Sequence, residues 1–115
     1  MADACIFCRI AAGEIPATVV HETPDTVAFR DISPRSPVHV LVIPRRHVAS
    51  IAELGPEDQA LAGRLLLAAG EVARQEGLTD HGYRVISNIG AWGGQTVDHL
   101  HLHVMGGRAF HWPPG

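Results

Sequence analysis

The chain has 115 residues, 46% apolar and 18% charged, enough for one core without disulfides and too hydrophobic for a disordered chain. Nine Lys and Arg against twelve Asp and Glu give a net charge of −3, which leaves no basic face for sequence-independent nucleic-acid binding. The longest apolar runs, around Val40 to Ile43 and Leu65 to Ala69, are too short to cross a membrane. The opening Met-Ala-Asp-Ala lacks the basic and apolar regions of a signal peptide, so residues 1–115 are expected to form a single cytoplasmic domain.

In chain order, Asp3 to Ala12 reads as a short helix carrying Ile6, Phe7 and Ile10 inward, stopped by Gly13 and Pro16. Thr18 to His21 and Thr26 to Arg30 read as strands joined across the turn residues Thr23-Pro24-Asp25. Asp31 to Pro37, with two prolines and two serines, is a loop. Val38 to Ile43 is a β-branched strand closed by Pro44. The long helix opens at Pro56, with Glu57 and Asp58 where the helix dipole favours anions. Leu61, Leu65, Ala68, Ala69 and Val72 follow helical spacing, and Gly77 supplies the stop. Tyr83 to Asn88 is a strand, Ile89 to Gln95 a glycine-rich connection, and Val97 to Met105 the last strand. The sum is an α+β fold: a five-stranded, mostly antiparallel sheet with one long and one short helix.

The last strand alternates strictly. Leu100, Leu102 and Val104 go to one face and His99, His101 and His103 to the other. Three uses fit such a row: a solvated polar face, a metal site, or nucleophilic catalysis at phosphorus. Solvated faces normally draw on Thr, Lys, Glu and Ser. Imidazole is a common metal ligand, yet three on one strand strain to reach one ion unaided. A neutral imidazole is a competent nucleophile near pH 7 when an acceptor holds its other nitrogen protonated. Gly93-Gly94-Gln95-Thr96, just upstream, supplies backbone amides and a hydroxyl suited to a phosphate.

His99-Leu100-His101-Leu102-His103-Val104-Met105 resembles the motif of the histidine triad (HIT) superfamily. Phe29 to Pro34, His39 to Pro44, Arg46-His47 and Gly93 to Val97 resemble its other segments, and Gly106-Gly107-Arg108 through His111-Trp112-Pro113-Pro114-Gly115 resembles the Hint branch, the histidine triad nucleotide-binding proteins. The resemblance implies a single HIT domain that hydrolyses P–N bonds of purine nucleoside 5′-phosphoramidates, aminoacyl-adenylates among the candidate substrates. It implies that His101 is the nucleophile, that the His99 carbonyl fixes its tautomer, and that His103, His39 and Thr96 stand near the phosphate and leaving amine. It further implies Asp31 on the ribose, Ile32 with Ile6, Phe7, Ile10, Phe29 and Leu41 around the base, and Asn88, Gly94, Gln95 and Thr96 on the phosphate side. Read alone, Asp31 is an Asx-turn residue, His39 a structural histidine, and the apolar set ordinary core. His21, His81 and His111 read as surface or tail residues.

Cys5-Ile6-Phe7-Cys8 has metal-ligand spacing, and two inert thiols are the bland alternative. Many bacterial-type HIT proteins pair these cysteines with two histidines around zinc; the matching set here is Cys5, Cys8, His47 and His99. The resemblance thus implies a structural zinc and no cofactor for catalysis. Animal Hint proteins lack the cysteines, so this chain combines two patterns. Phe110, Trp112, Pro113 and Pro114 form an apolar end with no periodic element to fold back on, which points to a neighbouring surface. The Hint likeness implies a two-fold homodimer through parts of Glu57 to Glu76 and Tyr83 to Asn88. Two other function classes compete with the enzyme: a regulatory nucleotide-binding module, and a metal-binding protein with no nucleotide role.

Overall fold

A computed structural model describes residues 4–115. Its strands are β1 (Val19–Glu22), β2 (Thr26–Arg30), β3 (Val38–Pro44), β4 (Arg84–Ile86) and β5 (Leu102–Gly106); its α-helices are α1 (Ile6–Ala11) and α2 (Gln59–Gln75). The sheet order is β1-β2-β3-β5-β4, with every pairing antiparallel. β3 takes the centre because both of its faces are apolar; Val38 alone is not fully buried.

Period-two alternation sorts the sheet into two layers. Ala28, Val40, Val42, Leu102 and Val104 meet Leu65, Ala68, Ala69 and Val72 of α2 on one face. Val27, Phe29, Leu41 and Ile43 meet Phe7 of α1 on the other. Each fully buried Val, Leu or Phe contributes about 1.5–3 kcal/mol. The thick layer under α2 therefore holds the sheet, and the thinner one under α1 is where side chains can open onto a ligand.

The α2 entry differs slightly from expectation: Pro56–Asp58 forms a 3-10 turn, and α-geometry begins at Gln59. Asp58 closes that turn by accepting from Gly55 N at 3.0 Å and from Arg46 Nη2 at 2.8 Å. The helix stops as expected, with Gly77 at φ +72 and Leu78 N bonding Ala73 O at 2.9 Å.

Three expected elements shorten. The last strand joins the ladder only at Leu102, because Leu100 N leaves it to donate to Val48 O at 2.7 Å. The alternation of Leu100, Leu102 and Val104 with the histidines survives, but His99 and His101 are buried at 0% and 5% exposure, which removes the solvated-face reading. Helix α1 starts at Ile6 because extended Cys5 caps it, Sγ accepting from Cys8 N at 3.4 Å; Asp3 lies outside the described residues. Ile6 does not turn inward but stands 51% exposed. Tyr83 to Asn88 contracts to β4 as Ser87 turns to the His101 carbonyl and Asn88 to the Gly93 carbonyl. The tail also departs from expectation. Phe110 packs against the guanidinium groups of Arg84 and Arg108, 5.2 and 4.3 Å from its ring centre, and the residues after it are exposed. Among the described residues no helix is long and apolar enough to cross a membrane.

Candidate active site

The register of β3 against β5 sets Leu41 opposite His103 and His39 opposite Met105, so His39 and His103 are diagonal neighbours on the α1 face. Their rings lie 5.1 Å apart, and His101 follows 5.0 Å from His103.

Hydrogen bonds decide each tautomer. His101 Nδ1 lies 2.7 Å from the His99 carbonyl, an obligate acceptor, so Nδ1 carries the proton and Nε2 keeps its lone pair. Ser87 Oγ donates to the His101 carbonyl at 3.3 Å. Arg35 N donates to His39 Nδ1 at 3.0 Å, which places the His39 proton on Nε2. That Nε2–H faces His103 Nδ1 at 2.9 Å, so His103 carries its own proton on Nε2. One backbone amide thus sets two imidazoles in sequence. Burial, reinforced by His101 and His39, lowers the His103 pKa to about 4. Burial likewise lowers His39, with Asp31 opposing and Arg35 adding to the shift. Both rings are neutral at pH 7.

Asp31 has two roles in the structure. Oδ1 accepts from Ser33 N at 2.8 Å, the Asx turn, while Oδ2 stands 3.4 Å from His39 Nε2 and the residue lines a cavity of about 660 Å³. Ile6, Phe7, Ile10, Phe29 and Leu41 wall that cavity; Ile32, 98% exposed, forms its lip, and Thr96 adds a hydroxyl. Ile15, Pro16, Ala17, Thr18, Arg30 and Val97 also line it and escaped the sequence reading; the one local signal was the apolar Ile15-Pro16 pair between turn residues. His39, His101 and His103 are not in its lining but adjoin it through Asp31 and through Phe7, whose ring lies 5.2 Å from His101 edge-on.

The glycine-rich connection differs from its expected use. Gln95 Nε2 donates to Ala49 O and Val97 O, at 2.7 and 3.0 Å, and Oε1 accepts from Gly90 N at 3.0 Å. The amides of Gly94 and Gln95 close the turn on Ala91 O and Gly90 O. These two residues therefore brace the loop, their donors turned inward. Asn88 Nδ2 also donates into the loop, to Gly93 O at 2.7 Å, and its carbonyl oxygen has no partner among the described residues. Gly93 is required because a Cβ there would lie 2.2 Å from Ile89 O.

Behind the triad, Cys5 Sγ stands 3.3 Å from His99 Nδ1, and Cys8 Sγ stands 3.2 Å from His47 Nδ1 and 3.5 Å from His99 Nδ1. Tetrahedral zinc with ordinary Zn–S and Zn–N lengths needs S–N edges of ~3.6 Å, so these donors are nearly at ligand spacing. The tautomer fits as well: His99 Nε2 bonds Pro44 O at 2.8 Å, which leaves Nδ1 as a lone pair aimed at the thiols. The four residues can hold a structural zinc. Asp31, His39 and His103 also cluster within 4.8 Å, but His39 offers a proton there, not a lone pair, and the set suits no metal. Burial and the Cys5 thiol raise the Cys8 pKa to about 11, so a metal must displace its proton. His21 is half-buried in β1, and His81 and His111 are exposed; none joins these groups.

The HIT domain family model matches residues 12–110, and the chain belongs to the HIT family. A HIT-like protein of Synechococcus elongatus is 51% identical over 100% of both chains. Protein HitA of Neisseria gonorrhoeae is 50% identical over 90% of this chain and 96% of its own. A HIT family hydrolase from Legionella pneumophila superposes with a TM-score of 0.94 at 50% identity, covering 96% of this chain and 99% of that one. A histidine triad nucleotide-binding protein from Candida albicans does so at 0.81 and 33% identity, over 97% and 85%.

Proposed function

We propose that this protein is a nucleotide-binding hydrolase, and more narrowly a purine nucleoside phosphoramidase of the Hint type. The observation that carries the reading is the His101 imidazole, pinned through Nδ1–H to the His99 carbonyl at 2.7 Å, with its Nε2 lone pair free beside the cavity. The hydrolase and nucleotide-binding names of the Legionella and Candida relatives support it.

In this reading Asp31 accepts from the ribose hydroxyls, and Ile32, Ile6, Phe7, Ile10, Phe29 and Leu41 enclose the base. His101 Nε2 bonds to the α-phosphorus as the P–N bond breaks; nitrogen keeps the electron pair, takes a proton from solvent and leaves as amine. Water then attacks phosphorus, releasing the nucleoside monophosphate and free His101. His103 Nε2–H hydrogen-bonds a phosphoryl oxygen, Thr96 Oγ1 serves the phosphate or the leaving nitrogen, and Asn88 offers its amide oxygen nearby. Zinc on Cys5, Cys8, His47 and His99 is structural, and no step passes through it.

The same reading makes the protein a cytoplasmic homodimer. β4 is a sheet edge whose Val85 is 41% exposed, and Leu66 of α2 is 64% exposed. A second copy laid edge to edge covers both. Steady-state kinetics on adenosine and guanosine 5′-phosphoramidates test the activity. Wild type turns them over, while His101→Ala loses turnover by orders of magnitude and still binds AMP. AMP binding without wild-type turnover would leave a binding module instead of an enzyme.

A further inference from the structure

Helix α1 belongs to two sites at once. Its cap Cys5 and its first-turn Cys8 put sulfur atoms 3.3 and 3.5 Å from His99 Nδ1. Its other side supplies Ile6, Phe7 and Ile10 to the cavity wall. Ile6, Thr96 and Val97 form a partition, lining both that cavity and a smaller one of about 390 Å³ that opens over Cys5 and His47. His99 is a second bridge. Its side chain faces the thiols while its carbonyl holds His101 Nδ1 at 2.7 Å.

A helix of six residues does not persist by itself. The far end of α1 is tied down by Arg45 Nη1 on Ala11 O at 3.1 Å, and its first turn by Phe7 packed edge-on against Phe29 at 5.5 Å. At the near end the thiol contacts share that work with Phe7, whose ring also lies 6.0 Å from His99. No α1 residue belongs to the larger core under α2, so loosening that end leaves the sheet intact.

We propose that a zinc ion on Cys5, Cys8, His47 and His99 and a purine nucleotide in the cavity bind with positive coupling. The metal fixes the helix that walls the cavity and the residue whose carbonyl orients the nucleophile. His99 is thereby a positioning residue, acting on phosphorus only through His101. This coupling rests on the nucleotide-binding reading above.

Calorimetric titration of AMP into zinc-loaded and chelator-stripped protein tests it, with far-UV circular dichroism to establish that the stripped chain is folded. Stripping is expected to weaken AMP binding by roughly 5- to 100-fold. Linkage then requires that saturating AMP tighten zinc, measured by chelator competition, by the same factor. If the stripped chain melts, both arms are run in a stabilising osmolyte such as trimethylamine oxide, which restores folding without the metal. In a chain that is folded with and without zinc, a metal that only staples the fold moves the melting temperature and leaves zinc affinity indifferent to AMP. AMP affinity equal within twofold in both forms, or zinc affinity unmoved by AMP, overturns the coupling alone. Failure of AMP to bind the zinc-loaded protein overturns the nucleotide reading and the coupling together.

Discussion

The hydrogen-bond sequence from Arg35 N through His39 to His103 can be cut at either end with near-isosteric side chains. Asparagine at position 39 keeps an acceptor where Nδ1 meets the Arg35 amide, now 3.0 Å away, but has nothing to reach His103. Glutamine places an amide donor near the position of Nε2, 2.9 Å from His103 Nδ1, and gives up the Arg35 acceptor. Each variant leaves one group unpaired in a site where His39 itself is 5% exposed. The expected loss of stability is about 1–3 kcal/mol for either one. Their activities should separate. In His39→Asn the His103 ring is free to take either tautomer or to turn, and the donor aimed at the phosphoryl oxygen loses the same 1–3 kcal/mol of orientation, roughly 5- to 150-fold in kcat/KM. His39→Gln keeps that donor fixed and should stay within a few-fold of wild type. The assay is phosphoramidate hydrolysis alongside urea melts, which separate turnover from folding. Equal turnover in the two variants, or full activity in His39→Asn, would refute the tautomer assignment.

Stability should also fall with acid. The unfolded chain takes up protons on histidine below about pH 6.5, and folded His103 does so only near 4, so stability is complete above 6.5 and declines as pH falls toward 4. The slope from His103 is at most about 1.4 kcal/mol per pH unit, and His103→Gln should flatten the urea-midpoint profile between pH 7 and 5. Elemental analysis should find about one zinc per chain, and Cys5→Ser with Cys8→Ser should abolish it and lower the melting temperature. Sedimentation should report twice the 12.3 kDa chain mass for wild type, and Val85→Asp on the β4 edge should return monomers; a wild-type monomer at micromolar concentration counts against the dimer. Deleting Trp112 to Gly115, beyond the Phe110 anchor, should change substrate preference more than the melting temperature.

Much of the architecture was legible because it depends on local geometry. Alternation in Val97 to Met105 assigned Leu100, Leu102 and Val104 to the core, since a period of two survives even where the ladder has ended. The α2 stop was readable because Gly77 needs a positive φ that other residues resist. The row of three histidines and the Cys5–Cys8 spacing announced chemistry for the same reason.

Other decisions were made only by packing. Cys5 and His99 are 94 positions apart; the family resemblance groups them, but no local pattern does, and only packing brings them to 3.3 Å. Gln95 had the right neighbours for a phosphate contact, yet its amide is consumed by Ala49 O, which β3 and its following segment bring alongside. Ile6, read as core, faces a cavity because the layer under α1 is thin. Proton placement is the clearest case. Sequence supplied four imidazoles of the same intrinsic chemistry at His39, His99, His101 and His103. Which nitrogen carries the proton in each follows from the donor or acceptor that the fold sets against it: the Arg35 amide, the Pro44 carbonyl, the His99 carbonyl and the His39 ring. A local spacing can say that a ring is present on a face. Only the long-range contacts of the folded chain say which of its two nitrogens is free to react.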